Sequence, residues 1–167
     1  MPDGTSQFAD VLAANDKYAA GFVLAGLPGE AARGLAVITC MDSRIEPLAM
    51  LGLSAGDAKI LRNAGARVTD DVVRTLVLAR YLLGVERIMV VAHTRCRMAA
   101  GDAAAIHDAI RAAGGPDTSD IAFLTSDDQE ASLRSDVAQV RSSAYLPDAV
   151  VGGFLYDVDT GRLRQVC

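Results

Sequence analysis

A chain of 167 residues, 51% hydrophobic and 22% charged, carries enough apolar surface to fold as one domain, and its composition excludes intrinsic disorder. Its formal net charge of -5 and isoelectric point near 4.9 argue against nucleic acid or an anionic membrane as a partner, because both require a basic face. A small-molecule substrate fits better.

The N-terminal segment carries acidic residues early and lacks a basic stretch followed by an apolar run, unlike a secretory signal. Residues 5–25 have helical character, with apolar Phe8, Val11, Leu12, Ala19 and Phe22. Residues 35–39 (LAVIT) form a short β-rich run that delivers Cys40 into a polar segment, as a buried strand entering a loop would. A short helix is predicted over residues 46–51, and a second strand over residues 58–63 (AKILRN), closed by Gly65. Asp70 and Asp71 stand where a helix N-cap and first-turn acid belong. Val72, Val73, Leu76, Val77, Arg80 and Leu83 continue with helical spacing, and Arg80 reads as a side chain laid over the edge of the apolar stripe.

A third strand, residues 86–92 (ERIMVVA), ends at His93. Helical patterns over residues 102–113 and 127–145 flank a predicted fourth strand, residues 121–125 (IAFLT). The C-terminal stretch reads as strand, turn and strand around residues 159–161. Strands alternating with helices predict a single α/β domain with a mainly parallel central sheet flanked by helices. Ligands bind such sheets at the carboxyl ends of the strands, where Cys40 and His93 fall. No stretch approaches the ~18 continuous apolar residues of a membrane span, so the expected location is the cytoplasm. Three widely spaced cysteines, Cys40, Cys96 and Cys167, make a poor disulfide framework and suit metal binding or catalysis better.

Zinc favours thiolate and imidazole ligands in a tetrahedral arrangement, and catalytic sites use three protein ligands with the fourth position open. Cys40, His93 and Cys96 would supply that set. An H-x-x-C spacing alone is a weak signal. A cysteine at a strand end is more often a small buried hydrophobe, and a lone histidine more often a hydrogen-bonded structural residue.

The segments Cys40-Met41-Asp42-Ser43-Arg44 and His93-Thr94-Arg95-Cys96 carry the patterns C-x-D-x-R and H-x-x-C in that order, with Arg62-Asn63-Ala64-Gly65 between them. In these motifs the chain resembles the beta-class carbonic anhydrases. The resemblance implies a Zn2+ cofactor held by Cys40, His93 and Cys96, with Asp42 and Arg44 as the adjoining catalytic pair. It also implies reversible hydration of carbon dioxide to bicarbonate and a proton by a zinc-bound hydroxide, since zinc lowers the pKa of bound water from about 16 to about 7. With its ion pair to Arg44 broken, Asp42 could become a fourth metal ligand in a closed state. The scaffold is also compatible with a carbon disulfide or carbonyl sulfide hydrolase. A noncatalytic zinc protein that binds an anion or a partner is a further alternative. A thiol redox role ranks last, for want of a C-x-x-C pair. The resemblance further implies a homodimer or higher homo-oligomer in which residues 1–25 form a helical arm on one domain spanning residues 1–167.

Two positions depart from the family pattern. Arg97 follows the second cysteine where glycine is common, and Arg95 stands where an acidic residue is frequent. Both cations would stabilise neighbouring thiolates. No tryptophan is present, and Val37 occupies the place one would take in a regulatory bicarbonate site, so that site is not expected. His107 and Cys167 are expected to lie outside the site.

Overall fold

The apolar run at residues 35–39 becomes strand β1 (Leu35–Cys40), all six residues of which are buried. Burial on both faces is the signature of a central strand in a parallel sheet. In the computed structural model, which describes residues 6–98 and 101–167, β1 lies between β2 (Ala58–Asn63) and β3 (Arg87–His93), parallel to both. Strand β4 (Val150–Tyr156) extends the sheet parallel to β3, and β5 (Leu163–Gln165) closes the edge antiparallel. The order is β2-β1-β3-β4-β5. The register pairs Cys40 with Asn63 and His93 with Tyr156, so the neighbouring ends of β1 and β3 deliver both motifs to one edge of the sheet.

Among the described residues, five α-helices complete the domain: α1 (Ala9–Ala20), α2 (Pro47–Met50), α3 (Asp70–Leu82), α4 (Ala103–Ala112) and α5 (Gln129–Arg141). The N-cap of α3 is Thr69, whose hydroxyl accepts the Val72 N–H at 3.4 Å. Asp70 and Asp71 therefore both fall in the first turn, where their charge suits the positive end of the helix dipole. Arg80 does more than cover the stripe, because its Nη1 donates to the Val85 carbonyl at 3.1 Å and pins the turn into β3. Helix α5 is shorter at both ends than its sequence pattern, starting at an Asp128 cap that accepts from the Ala131 N–H.

The predicted strand at residues 121–125 is not one. Its place beside β3 belongs to β4, Leu124 takes a left-handed φ of 56°, and Ile121 and Leu124 stay 47% and 41% exposed. A β-rich composition here serves an extended loop that packs on the domain with part of its apolar surface.

Valines and isoleucines of β1 and β3 pack on α3 and α5 through Ile38, Leu76, Val90, Val137 and Val140, all fully buried. The opposite face of the sheet carries Val37 and Val91 against Ile60, Phe154 and Leu163. Helix α1 is different in kind. None of its residues is buried, and Phe8 is 62% exposed beside exposed Val11, Leu12 and Phe22. No described helix is long and apolar enough to cross a membrane.

Candidate metal centre

Cys40 is the last residue of β1 and His93 the last of β3. Cys96 follows in the turn after β3, and all three side chains are buried. Their ligand atoms lie within 4.8 Å of one another. The two sulfurs are 3.8 Å apart, far beyond the ~2.05 Å of a disulfide. A tetrahedral ion with Zn–S bonds of about 2.3 Å requires a sulfur–sulfur edge of about 3.8 Å. The His93 ring is fixed by Nδ1, 2.9 Å from the Thr94 carbonyl. That bond makes Nδ1 the donor and leaves the Nε2 lone pair free to bind a metal. Nε2 is fully buried and has no hydrogen-bond partner, a costly state that a metal ion relieves. The donor set and its spacing fit zinc.

The surrounding backbone favours thiolate. The neighbouring Cys96 thiol, then the adjacent His93 imidazole and the Gly65 N–H at 3.4 Å, push the Cys40 thiol down to about 4 against burial, which raises it. Gly65 adopts φ 79°, a left-handed conformation natural to glycine, in the turn that brings its N–H to the sulfur. The shared Arg62-Asn63-Ala64-Gly65 element is therefore part of the site as well as a turn. Arg62 donates from Nε to the Cys40 carbonyl at 3.0 Å and from Nη2 to the Asp42 carbonyl at 2.7 Å. Gln129, at the start of α5, holds the His93 carbonyl at 2.9 Å. An ion pair from Arg67 Nε to Asp136, 2.7 Å long and largely buried, ties the same turn to α5.

Asp42 and Arg44 form a bidentate pair, Nε to Oδ1 at 2.9 Å and Nη2 to Oδ2 at 2.7 Å, and the Arg44 backbone N–H adds a third bond to Oδ1. The Arg44 side chain, then its backbone N–H, holds the Asp42 carboxyl well below the usual range. Asp42 Oδ2 stops 3.9 Å from His93 Nε2, beside the three ligand atoms. With the pair formed, its carboxylate faces them as an acceptor. A cavity of about 440 Å³, lined by Cys40, Asp42, Arg44 and Cys96 with Met41 and Met98, opens onto this group.

Arg95 does not serve the thiolates directly. Its side chain forms an ion pair with Asp159 in the turn between β4 and β5. Its left-handed backbone, φ 53°, presents a carbonyl that accepts from Arg44 Nη2 at 3.2 Å. His107 is engaged elsewhere, 2.9 Å from the Thr118 hydroxyl and in ring contact with Phe123. Cys167 lies near Gly153 on β4, away from the ligand group.

The carbonic anhydrase family model matches residues 35–163. Beta-carbonic anhydrase 1 of Mycobacterium tuberculosis is 34% identical over 160 residues, covering 94% of this chain and 96% of its own. The chain belongs to the beta-class carbonic anhydrase family. The solved carbonic anhydrase of Streptococcus mutans is similar over 100% of both chains, with a TM-score of 0.89 and 40% identity. A carbon disulfide hydrolase of Acidithiobacillus thiooxidans is 30% identical over 83% of this chain and 75% of its own. Beta-class carbonic anhydrases are zinc enzymes, and the Cys40, His93 and Cys96 group answers to that cofactor.

Proposed function

We propose that this enzyme catalyses the zinc-dependent, reversible hydration of carbon dioxide to bicarbonate and a proton. Cys40, His93 and Cys96 hold the metal, and Asp42 and Arg44 are the catalytic pair. The observation that carries the reading is three buried donors gathered within 4.8 Å of one another, with one carboxylate 3.9 Å from His93 Nε2. Bound zinc supplies the Lewis acidity that makes a hydroxide nucleophile available near neutral pH.

The protein's own contribution is orientation. Arg44 occupies both Asp42 oxygens, so Asp42 stays ionised and fixed in direction. It is placed to accept a hydrogen bond from the attacking oxygen and turn a lone pair of that oxygen toward the substrate carbon. The Arg95 carbonyl holds Arg44 from the far side, and Arg62 fixes the main chain of Cys40 and Asp42 beneath them. Released from Arg44, the Asp42 carboxylate, 3.9 Å from His93 Nε2, would be near enough to act as a further ligand, and the ion pair would hold it back.

Carbon disulfide and carbonyl sulfide also present an electrophilic carbon, and relatives named carbon disulfide hydrolases give that reading a specific footing. Assaying one zinc-quantified preparation against all three substrates separates the readings. Carbon dioxide turnover exceeding the other two by at least about 10²-fold is expected. Carbon disulfide hydrolysis without carbon dioxide hydration would assign the chain to the alternative, and full zinc occupancy with no turnover would point to a noncatalytic role.

We also propose that residues 1–25 form an arm that seats on a second copy of the chain, giving a homodimer. Residues 1–5 lie outside the described part. A helix as short as α1 is marginal alone in water, and its exposed Phe8, Val11, Leu12 and Phe22 find no burial within their own subunit. The expected sedimentation result is a dimer for the full chain and a monomer once residues 1–25 are deleted. A dimer that survives the deletion would remove the arm from the interface. Free cysteines stay reduced most readily in a reducing compartment, which supports placing the enzyme in the cytoplasm.

A further inference from the structure

Arg97 lies where two cavities meet. One is the metal pocket of about 440 Å³; the other, of about 510 Å³, runs beside α4 and shares Arg97 and Met98 with the first. The second cavity is apolar along most of its length, because Ala105, Ile106, Ala109 and Ile110 line it. Those four positions recur at helical spacing and form one face of α4. No residue of helix α4 is fully buried; Ala105 and Ala109 are exposed and Ile106 and Ile110 half-buried, so this face keeps part of its apolar surface open to the cavity.

The other arginines around the metal pocket are committed. Arg44 is bound to Asp42 and the Arg95 carbonyl, Arg62 to the carbonyls of Cys40 and Asp42, and Arg95 to Asp159. Arg97 is exposed and makes no hydrogen bond or ion pair to any described residue. The acid in the second cavity, Asp102, caps α4 by accepting the Ala104 N–H at 3.0 Å. The groove therefore combines an uncommitted guanidinium at the metal pocket with an apolar wall leading away from it.

We propose that this junction binds an amphipathic monocarboxylate, with its carboxylate on the Arg97 guanidinium and its straight apolar tail along the Ile106 and Ile110 face of α4. Charge complementarity selects the head group, since an ionised carboxylate matches the planar fork of arginine. The stretch of α4 from Ala105 to Ile110 rises about 7.5 Å, room for a medium-length chain and too much for acetate. A ligand so placed lies across the mouth of the metal pocket and inhibits turnover. The inhibition rests on the proposed reaction, whereas the binding does not.

The test is calorimetric titration of the zinc-loaded full-length protein with acetate, butyrate, hexanoate and octanoate. Affinity is expected to rise with chain length by up to about fourfold per methylene, the limit for full burial. Arg97→Gln is expected to weaken every acid about tenfold with zinc content unchanged. Ile106→Ser is expected to flatten the chain-length dependence while leaving acetate where it was. Arg97 is exposed and Ile106 half-buried, and circular dichroism matched to the parent confirms that each variant titrated is folded. Four results would overturn the proposal: affinity independent of chain length; octanoate bound equally by Arg97→Gln; binding that vanishes with zinc removal alone, which would make the metal the receptor; or a shift in oligomeric state in Ile106→Ser, which would show the groove to be covered by a second copy. Carbon dioxide hydration, measured separately, leaves these readouts untouched.

Discussion

Replacing Cys96 by alanine is expected to strip zinc from the protein and to reduce carbon dioxide hydration to the uncatalysed rate. In the proposed site three side chains supply the protein donors to the metal, and giving up one of three leaves only two to hold the ion against water. Cys96 is 3% exposed and stands 3.8 Å from the Cys40 sulfur. Its loss also removes the largest influence that lowers the Cys40 thiol, so the remaining donors bind less well than two intact ligands would. Metal analysis by mass spectrometry and stopped-flow hydration, run on samples of equal circular dichroism, separate metal loss from unfolding. Cys167→Ser is the control. Cys167 is remote from the ligand group, so zinc content and rate should match the parent. A Cys96→Ala protein with full zinc and full rate would remove Cys96 from the site.

Asp42→Asn should keep zinc and still lose about 10²-fold in kcat/KM, the scale of effect seen when a group supporting a metal site is removed. The carboxylate is not needed to hold the ion while it is paired to Arg44, so binding survives. What disappears is an acceptor of fixed direction beside the ligand atoms, together with the partner of the Arg44 guanidinium. The sign of the pH dependence follows from the depressed Asp42 pKa. A carboxyl held below its unfolded value of about 3.9 gives a pair whose stabilisation is fully present above that pH. It is lost only as pH falls through the lower folded value. Between pH 5 and 9 Asp42 therefore does not titrate, and a change of rate across that window must come from elsewhere in the site. Proton titration by NMR of the Asp42 carboxyl checks this, and an ionisation found between pH 5 and 9 would contradict it.

How much of this was legible in the sequence depended on whether the signal was local. Strands β1, β2 and β3 could be read because each is an apolar run stopped by a polar motif, and because the parallel arrangement puts Cys40 and His93 at the same edge of the sheet. Residues 121–125 have the same β-rich composition and are a loop. Composition describes a half-buried extended chain, and which extended chain wins the place beside β3 is decided by pairing with residues 150–156, far along the sequence. The N-cap of α3 was misplaced by one residue because Thr69 and Asp70 both have capping chemistry. The long-range contacts that finish the site had weaker signals. Arg62 and Gly65 stood in a recognisable element, but nothing local indicated that Gly65 would donate to the Cys40 sulfur. Gln129 carries no sequence cue at all, since its hydrogen bond to the His93 carbonyl exists only because α5 packs against β3. Arg95 was placed near the thiolates on its sequence position, but its left-handed backbone turns its carbonyl to Arg44 while the side chain pairs with Asp159.

The central claim is that turnover resides in a metal held by Cys40, His93 and Cys96, and it is tested most directly by titrating zinc into metal-free protein while measuring carbon dioxide hydration by stopped flow. The account predicts a rate that rises linearly with bound zinc and breaks sharply at one ion per chain, with no gain in Cys96→Ala at any zinc concentration. A rate independent of bound zinc, or a protein that takes up one ion per chain and stays inactive from neutral to alkaline pH, would contradict it.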